Sequence, residues 1–178
     1  MTARRALAVC PGGAIILASL ATAYAAGLRI NTTPSMPSGI WMIVSARTAP
    51  KRGDIVAVCL PDGAALRQAM HRGYIAAGPC PDEAEPLVKP VATVGGDLVR
   101  VSANGISVNE TPVANTAALT RDEAGRVLHP VPAGSYRVAA DEVWLLSGHD
   151  PRSFDSRYFG AVPIADVLGV ARPLWVRR

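Results

Sequence analysis

Lysine is nearly missing from this chain. All but two of its 18 basic residues are arginine, leaving only Lys51 and Lys89. Arginine keeps its proton in a protein whereas a buried lysine can lose it, so an amine base has only two possible sources here. Charge is scarce as well, at 18% of residues against 49% apolar ones. That balance excludes a disordered, solvating chain and permits a proper core. No long basic run accompanies the modest net charge of +4, so no nucleic-acid partner is indicated. The three cysteines and three histidines fall at no metal-ligand spacing, and no cofactor is expected. Repeats and internal linkers are also missing. A length of 178 residues is room for one ordinary domain and a targeting segment.

The targeting segment stands at the start. Arg4 and Arg5 precede a run without charge from Ala6 to Leu28, ended by Arg29. As a helix that run extends about 34 Å, enough to cross a hydrocarbon core. Basic residues on its leading side place the N-terminus in the cytoplasm and export the rest of the chain. Residues 1–28 therefore read as a membrane anchor and residues 29–178 as a periplasmic domain. A cleaved signal peptide is the alternative, because Ala21-Thr22-Ala23 and Ala23-Tyr24-Ala25 both have the small-x-small form. Cys10 has only a handful of apolar residues before it, which suits an inert membrane cysteine better than a lipid-attachment site. In an oxidising compartment Cys59 and Cys80 are candidates for a disulfide closing a loop of about twenty residues, worth about 3 kcal/mol in the chain-entropy account. Two buried thiols are the other possibility.

Beyond the run, short segments rich in Val and Ile alternate with Gly, Pro, Asn and Asp. Strands are predicted at Ile40–Ala46, Asp54–Leu60, Leu87–Thr93, Leu98–Ser102, Ile106–Asn109, Ser135–Ala139, Val143–Ser147 and Val167–Ala171. Asn104-Gly105 between two of them is a hairpin signal. Helical periodicity is confined to Ala64–His71 and Ala114–Glu123. The fold class is mainly β, a partly open barrel or packed sheets following one N-terminal membrane-targeting helix.

Three segments bear chemistry. In Thr33-Pro34-Ser35-Met36-Pro37-Ser38-Gly39-Ile40 the prolines restrict the backbone around Ser35, so the loop can present a hydroxyl rigidly beside N–H groups suited to an oxyanion. A juxtamembrane turn rich in Pro and Ser has the same composition. In Leu87-Val88-Lys89-Pro90-Val91-Ala92-Thr93 a strand gives Lys89 the apolar neighbours Leu87 and Val91 on its own face. Burial there lowers the ammonium pKa and supplies the neutral amine a serine nucleophile needs; a lysine snorkelling from an edge strand is the bland reading. The segment from Ser147 to Gly160, containing His149-Asp150 and Ser153-Phe154-Asp155-Ser156-Arg157, is a dense polar loop that either orients a site or closes a solvated turn.

Taken in order, these segments resemble the type I signal peptidases of the serine/lysine kind over nearly the whole chain. Ser35-Met36-Pro37 is similar to the family's nucleophile loop, Lys89 with Gly95-Gly96-Asp97 to its lysine strand and the turn after it. Asn104-Gly105 with Val108-Asn109 is similar to its next hairpin, and Gly148–Gly160 to its last motif. The closer resemblance is to the conjugative-transfer, TraF-type branch, in which Pro comes directly after Ser and the hydrophobic residue. General signal peptidases have one more residue before that Pro, usually an Arg where this chain has Pro90, and a longer last loop.

The resemblance implies a domain of signal-peptidase type at the inner membrane with its catalytic part in the periplasm. Ser35 would be the nucleophile, Lys89 the general base, and the Ser35 N–H and Thr33 hydroxyl the oxyanion donors. Ser153 would orient Lys89, while Asp155 and Arg157 hold the last loop, Asp155 with room for a more direct part. The implied substrate is a propilin or other exported precursor, cleaved or cyclised through an acyl-enzyme, and the implied partners are the membrane and mating-pair-formation components. A Ser35-His149-Asp150 triad is a weaker rival, since adjacent His and Asp do not easily form the usual relay. A general signal peptidase and a non-catalytic periplasmic assembly protein are the alternative functions.

Overall fold

The computed structural model describes residues 11–46 and 48–177. Helix α1 (Pro11–Ala25) leads into β1 (Leu28–Asn31), β2 (Gly39–Ser45), β3 (Ile55–Val58), α2 (Ala64–His71), β4 (Leu87–Pro90), β5 (Leu98–Ser102) and β6 (Gly105–Val108). Next come β7 (Thr111–Pro112), β8 (Gly134–Arg137), β9 (Glu142–Val143), α3 (Ser156–Phe159), β10 (Val162–Pro163) and β11 (Val167–Val176). A five-stranded sheet runs β1-β2-β11-β3-β4, a four-stranded one runs β7-β6-β5-β8, and β9 pairs with β10. Every named strand pair is antiparallel. The protein is mainly β, as its residues led us to expect.

The N-terminal helix stops earlier than the uncharged run does. It ends at Ala25, and Leu28 already pairs with Met42 of β2. Gly27 makes the break, at φ 98°, and a Cβ there would lie 2.3 Å from the Ile43 carbonyl oxygen. Only glycine fits so close a backbone approach. Among the described residues no helix is long and apolar enough to cross a membrane; Arg4, Arg5, Ala6–Val9 and Cys10 lie outside them.

Strand β5 shows why the strands are legible in the sequence. Val99 and Val101 are buried while Arg100 and Ser102 are exposed, the alternation a half-buried sheet demands. The hairpin from β5 to β6 closes at Ser102 opposite Gly105, with Gly105 at φ 124°. The predicted strand Val143–Ser147 is corrected to the two residues of β9 and an extended segment after them. Its side chains point alternately into two cores: Val143 and Leu145 join Val56, Val58, Leu66 and Val91, whereas Trp144 and Leu146 join Val99, Val101 and Ile106. Much of its backbone is satisfied outside a regular ladder: the Trp144 N–H donates to Thr93 Oγ1 at 2.8 Å and the Leu145 N–H to Ser156 Oγ at 2.8 Å.

The predicted helix Ala114–Glu123 does not form either. Asn115 takes a left-handed φ of 56°, and the Thr116 hydroxyl donates to the Val113 carbonyl and accepts from the Ile106 N–H. The Asp122 carboxylate accepts from the N–H groups of Ala124 and Arg126. These local bonds offer the backbone an alternative to the helix ladder. Cys59 and Cys80 are disulfide-bonded, with Cα atoms 5.6 Å apart. The bridge ties the end of β3 to the turn at Ala77–Ala84 that feeds β4.

Candidate active site

The loop between β1 and β2 is held by one carboxamide. Asn31 Nδ2 donates to the carbonyls of Thr33, Met36 and Pro37 at 3.1, 2.9 and 3.2 Å. Its Oδ1 accepts from the Thr33 N–H and hydroxyl at 3.1 and 2.8 Å. Met36 is buried against Trp41 and Ala171, and Trp41 Nε1 donates to the Pro37 carbonyl. Ser35 thus sits on a loop fixed from both sides. Its hydroxyl lies 3.2 Å from Thr33 Oγ1, and among the described residues its own N–H meets no acceptor.

Lys89 reaches the same hydroxyl from β4, with Nζ 2.7 Å from Ser35 Oγ. The two residues belong to opposite margins of the large sheet: Ser35 comes after β1 and Lys89 lies on β4. Their contact therefore requires the sheet to curl upon itself, as strand twist favours. Lys89 is 3% exposed, and burial lowers its pKa from 10.5 to about 8. The charges of Asp155 and Asp150 pull it back up and that of Arg157 pushes it down, but desolvation dominates. At pH 7 roughly one molecule in ten then holds a neutral amine against the serine. A cavity of about 1230 Å³ opens over the pair, walled by Leu20 and Tyr24 of α1, Tyr74, Leu128 and Phe154.

The last loop is clamped from within. Arg157 and Asp155 are fully buried and pair twice, Nε to Oδ1 at 2.8 Å and Nη2 to Oδ2 at 2.9 Å. Arg157 also donates to the carbonyls of Asn115, Pro151 and Ser153, so one guanidinium closes the loop on itself. Asp155 accepts the Arg157 N–H as the cap of α3. The carboxylate touches neither Ser35 nor Lys89 and acts on the lysine through its charge.

The last loop lacks one expected contact and does not assemble the rival triad. Ser153 is buried and lines the cavity, but its hydroxyl has no hydrogen-bond partner, so the orienting bond to Lys89 is not made. The rival triad is not assembled: His149 is exposed and bonds through its main-chain N–H to Ser147, and the Asp150 carboxylate is taken by Arg152 at 2.9 and 3.1 Å. Sequence reasoning missed the importance of two polar residues. Asn31 stands in the sequence only as the first residue of the stretch Asn31–Trp41 that resembles the TraF-type nucleophile region, and Ser147 only as the junction of a predicted strand with the last loop. Ser147 is fully buried. Its hydroxyl donates to the Ser35 carbonyl and its N–H to Asp155 Oδ2 at 3.0 Å.

A serine in contact with a buried lysine under a largely apolar cleft brings together the groups that acyl transfer requires. The chain belongs to the family described as signal peptidase, peptidase S26, which matches residues 3–176, and it is a peptidase of that family. Within the family it falls with the TraF-type proteins. It is 41% identical over 156 residues to the probable conjugal transfer protein TraF of Sinorhizobium fredii (strain NBRC 101917 / NGR234), covering 86% of this chain and 80% of that one. It is 35% identical over 168 residues to the plasmid transfer protein TraF of Escherichia coli, covering 94% and 93%. A crystal structure of a signal peptidase I from Enterococcus faecalis V583 overlays with a TM-score of 0.40 at 20% identity, over 70% of this chain and 98% of that one.

Proposed function

We propose that this protein is a serine peptidase of conjugal transfer that processes a propilin through an acyl-enzyme, with Ser35 as nucleophile and Lys89 as general base. The observation that carries the reading is the 2.7 Å contact between Ser35 Oγ and a buried Lys89 Nζ. Neutral Nζ accepts the hydroxyl proton as Oγ bonds to the scissile carbonyl carbon. The resulting oxyanion lies toward the free Ser35 N–H, and the Thr33 hydroxyl turns from Asn31 to supply a second donor. The protonated Lys89 returns its proton to the leaving amine as the C–N bond breaks, which leaves the acyl group on Ser35. Water or the pilin's own N-terminal amine then attacks the ester, giving a linear or a circular product. Arg157 and Asp155 keep the loop that faces the pair in place.

The catalytic domain is proposed to lie in the periplasm against the inner membrane. Helix α1 exposes Ile15, Ile16, Leu17 and Leu20. Beside it Ile30, Ile40 and Trp175 stand opposite one another across β1, β2 and β11, with Ile30 71% and Trp175 61% exposed. Such a contiguous apolar stripe next to an apolar helix suits a lipid surface. The test is processing of the cognate propilin by membranes carrying wild-type, Ser35→Ala or Lys89→Ala protein. Both variants are expected to leave the precursor uncut while the domain stays folded. Mass spectrometry of the wild-type product identifies the acceptor, a circular chain being lighter than a hydrolysed one by one water. Full processing by Lys89→Ala sinks the dyad, and rescue of a strain depleted of its general signal peptidase favours the broader activity.

A further inference from the structure

We propose that Ser147 is a positioning residue for the nucleophile, its buried hydroxyl fixing the peptide plane from which Ser35 is presented to Lys89. The inference rests on the dyad reading above and adds to it a residue 112 positions away in the chain. The neighbours of Ser35 are restrained locally: Pro34 and Pro37 hold their own φ angles, Met36 is packed in a core, and Asn31 gathers three loop carbonyls. The Ser35 carbonyl is not among those three. Its partner is Ser147. A carbonyl can only accept, so the single hydroxyl proton of Ser147 is committed to it.

Ser147 is itself held without slack. It is fully buried, and its N–H donates to Asp155 Oδ2. Asp155 is in turn fixed by two bonds from Arg157 at 2.8 and 2.9 Å. The chain Arg157, Asp155, Ser147, Ser35 thus connects the clamp of the last loop to the main chain of the nucleophile. Rotation of the peptide between Ser35 and Met36 would swing Oγ relative to Nζ, and small misplacements of reacting groups cost large factors in rate. The buried ion pair then acts on catalysis by transmitted geometry as well as by charge.

The test measures acylation of purified protein by an N-acetyl-alanyl p-nitrophenyl ester, with intact mass locating the acyl group. Ser147→Ala is expected to lower the acylation rate at saturating ester at least tenfold. The half-saturating concentration and the pH midpoint are expected to stay as in wild type, because Lys89 keeps its surroundings. Where the alanine variant does not fold, Ser147→Cys keeps nearly the same volume but donates poorly, and the same loss is expected. A rate within threefold of wild type in a folded variant overturns the inference. So does a loss that only tracks the fraction of folded protein. Absence of a Ser35 ester in wild type overturns the dyad reading instead, so the two failures are told apart.

Discussion

The pKa of Lys89 makes the proposed chemistry measurable. An ordinary lysine titrating at 10.5 would be neutral in about one molecule in 3,000 at pH 7, whereas a value of about 8 raises this to roughly one in ten. Burial therefore enlarges the reactive population about 300-fold before any effect of proximity. Stopped-flow release of p-nitrophenolate should show Ser35 acylation rising tenfold per pH unit, bending near pH 8 and levelling by about pH 9. The same shift must appear in stability. Between about pH 8 and 10.5 the unfolded chain keeps the Lys89 proton and the folded one does not, so unfolding free energy rises with pH across that window. The rise is about 3 kcal/mol, is complete above 10.5, and is lost as pH falls to 8. Denaturant titrations of wild type minus Lys89→Met isolate it from every other titrating group. Lys89→Arg, unable to deprotonate, should lose acylation at every pH. A kinetic midpoint near 10.5, or an unaltered slope in Lys89→Met, refutes the desolvation argument.

Four further outcomes are expected. Asp150→Asn removes a charge that raises the Lys89 pKa, so the midpoint of the acylation profile should move to lower pH; a move upward would contradict the cause assigned. Arg157→Ala strands the buried Asp155 carboxylate and should cost about 3–5 kcal/mol in urea unfolding. Reduction of the Cys59–Cys80 bridge should lower stability by about 3 kcal/mol, and a double alanine variant insensitive to reductant should match the reduced protein. Trp144→Ala, emptying a fully buried site, should cost about 3–5 kcal/mol by thermal or chemical unfolding.

The parts of the molecule legible in the sequence are those whose cause is local. Strand β5 alternates because one face is buried, and the hairpin signalled by Asn104-Gly105 turns at Ala103-Asn104 and enters β6 through Gly105, whose positive φ favours glycine. Lys89 is conspicuous because lysine is rare and its neighbours are apolar. The N-terminal helix is expected to run on to Leu28 because Ala26, Gly27 and Leu28 are as uncharged as the residues before them. Only the break at Gly27 and pairing with β2 put Leu28 in a strand, and that partner lies beyond the Ser35 loop. The roles of Asn31 and Ser147 are hidden for a related reason. A polar residue's task depends on which main-chain groups the fold leaves unpaired around it. Helix α3, one turn long, is a product of the Asp155 cap rather than of any periodicity.

The site is drawn from three widely separated stretches of chain: Ser35 near the beginning, Lys89 at the middle, and the clamp that comes after the doubly buried segment Val143–Leu146. During synthesis Ser35 emerges first and Lys89 second, and the segments that complete the site around them follow only in the last quarter of the chain. A partly made molecule has no desolvated lysine, because the walls that exclude water from Nζ are still missing. If Ser35 and Lys89 act as proposed, peptide-bond cleavage is thereby deferred to the completed fold by the order of the sequence itself.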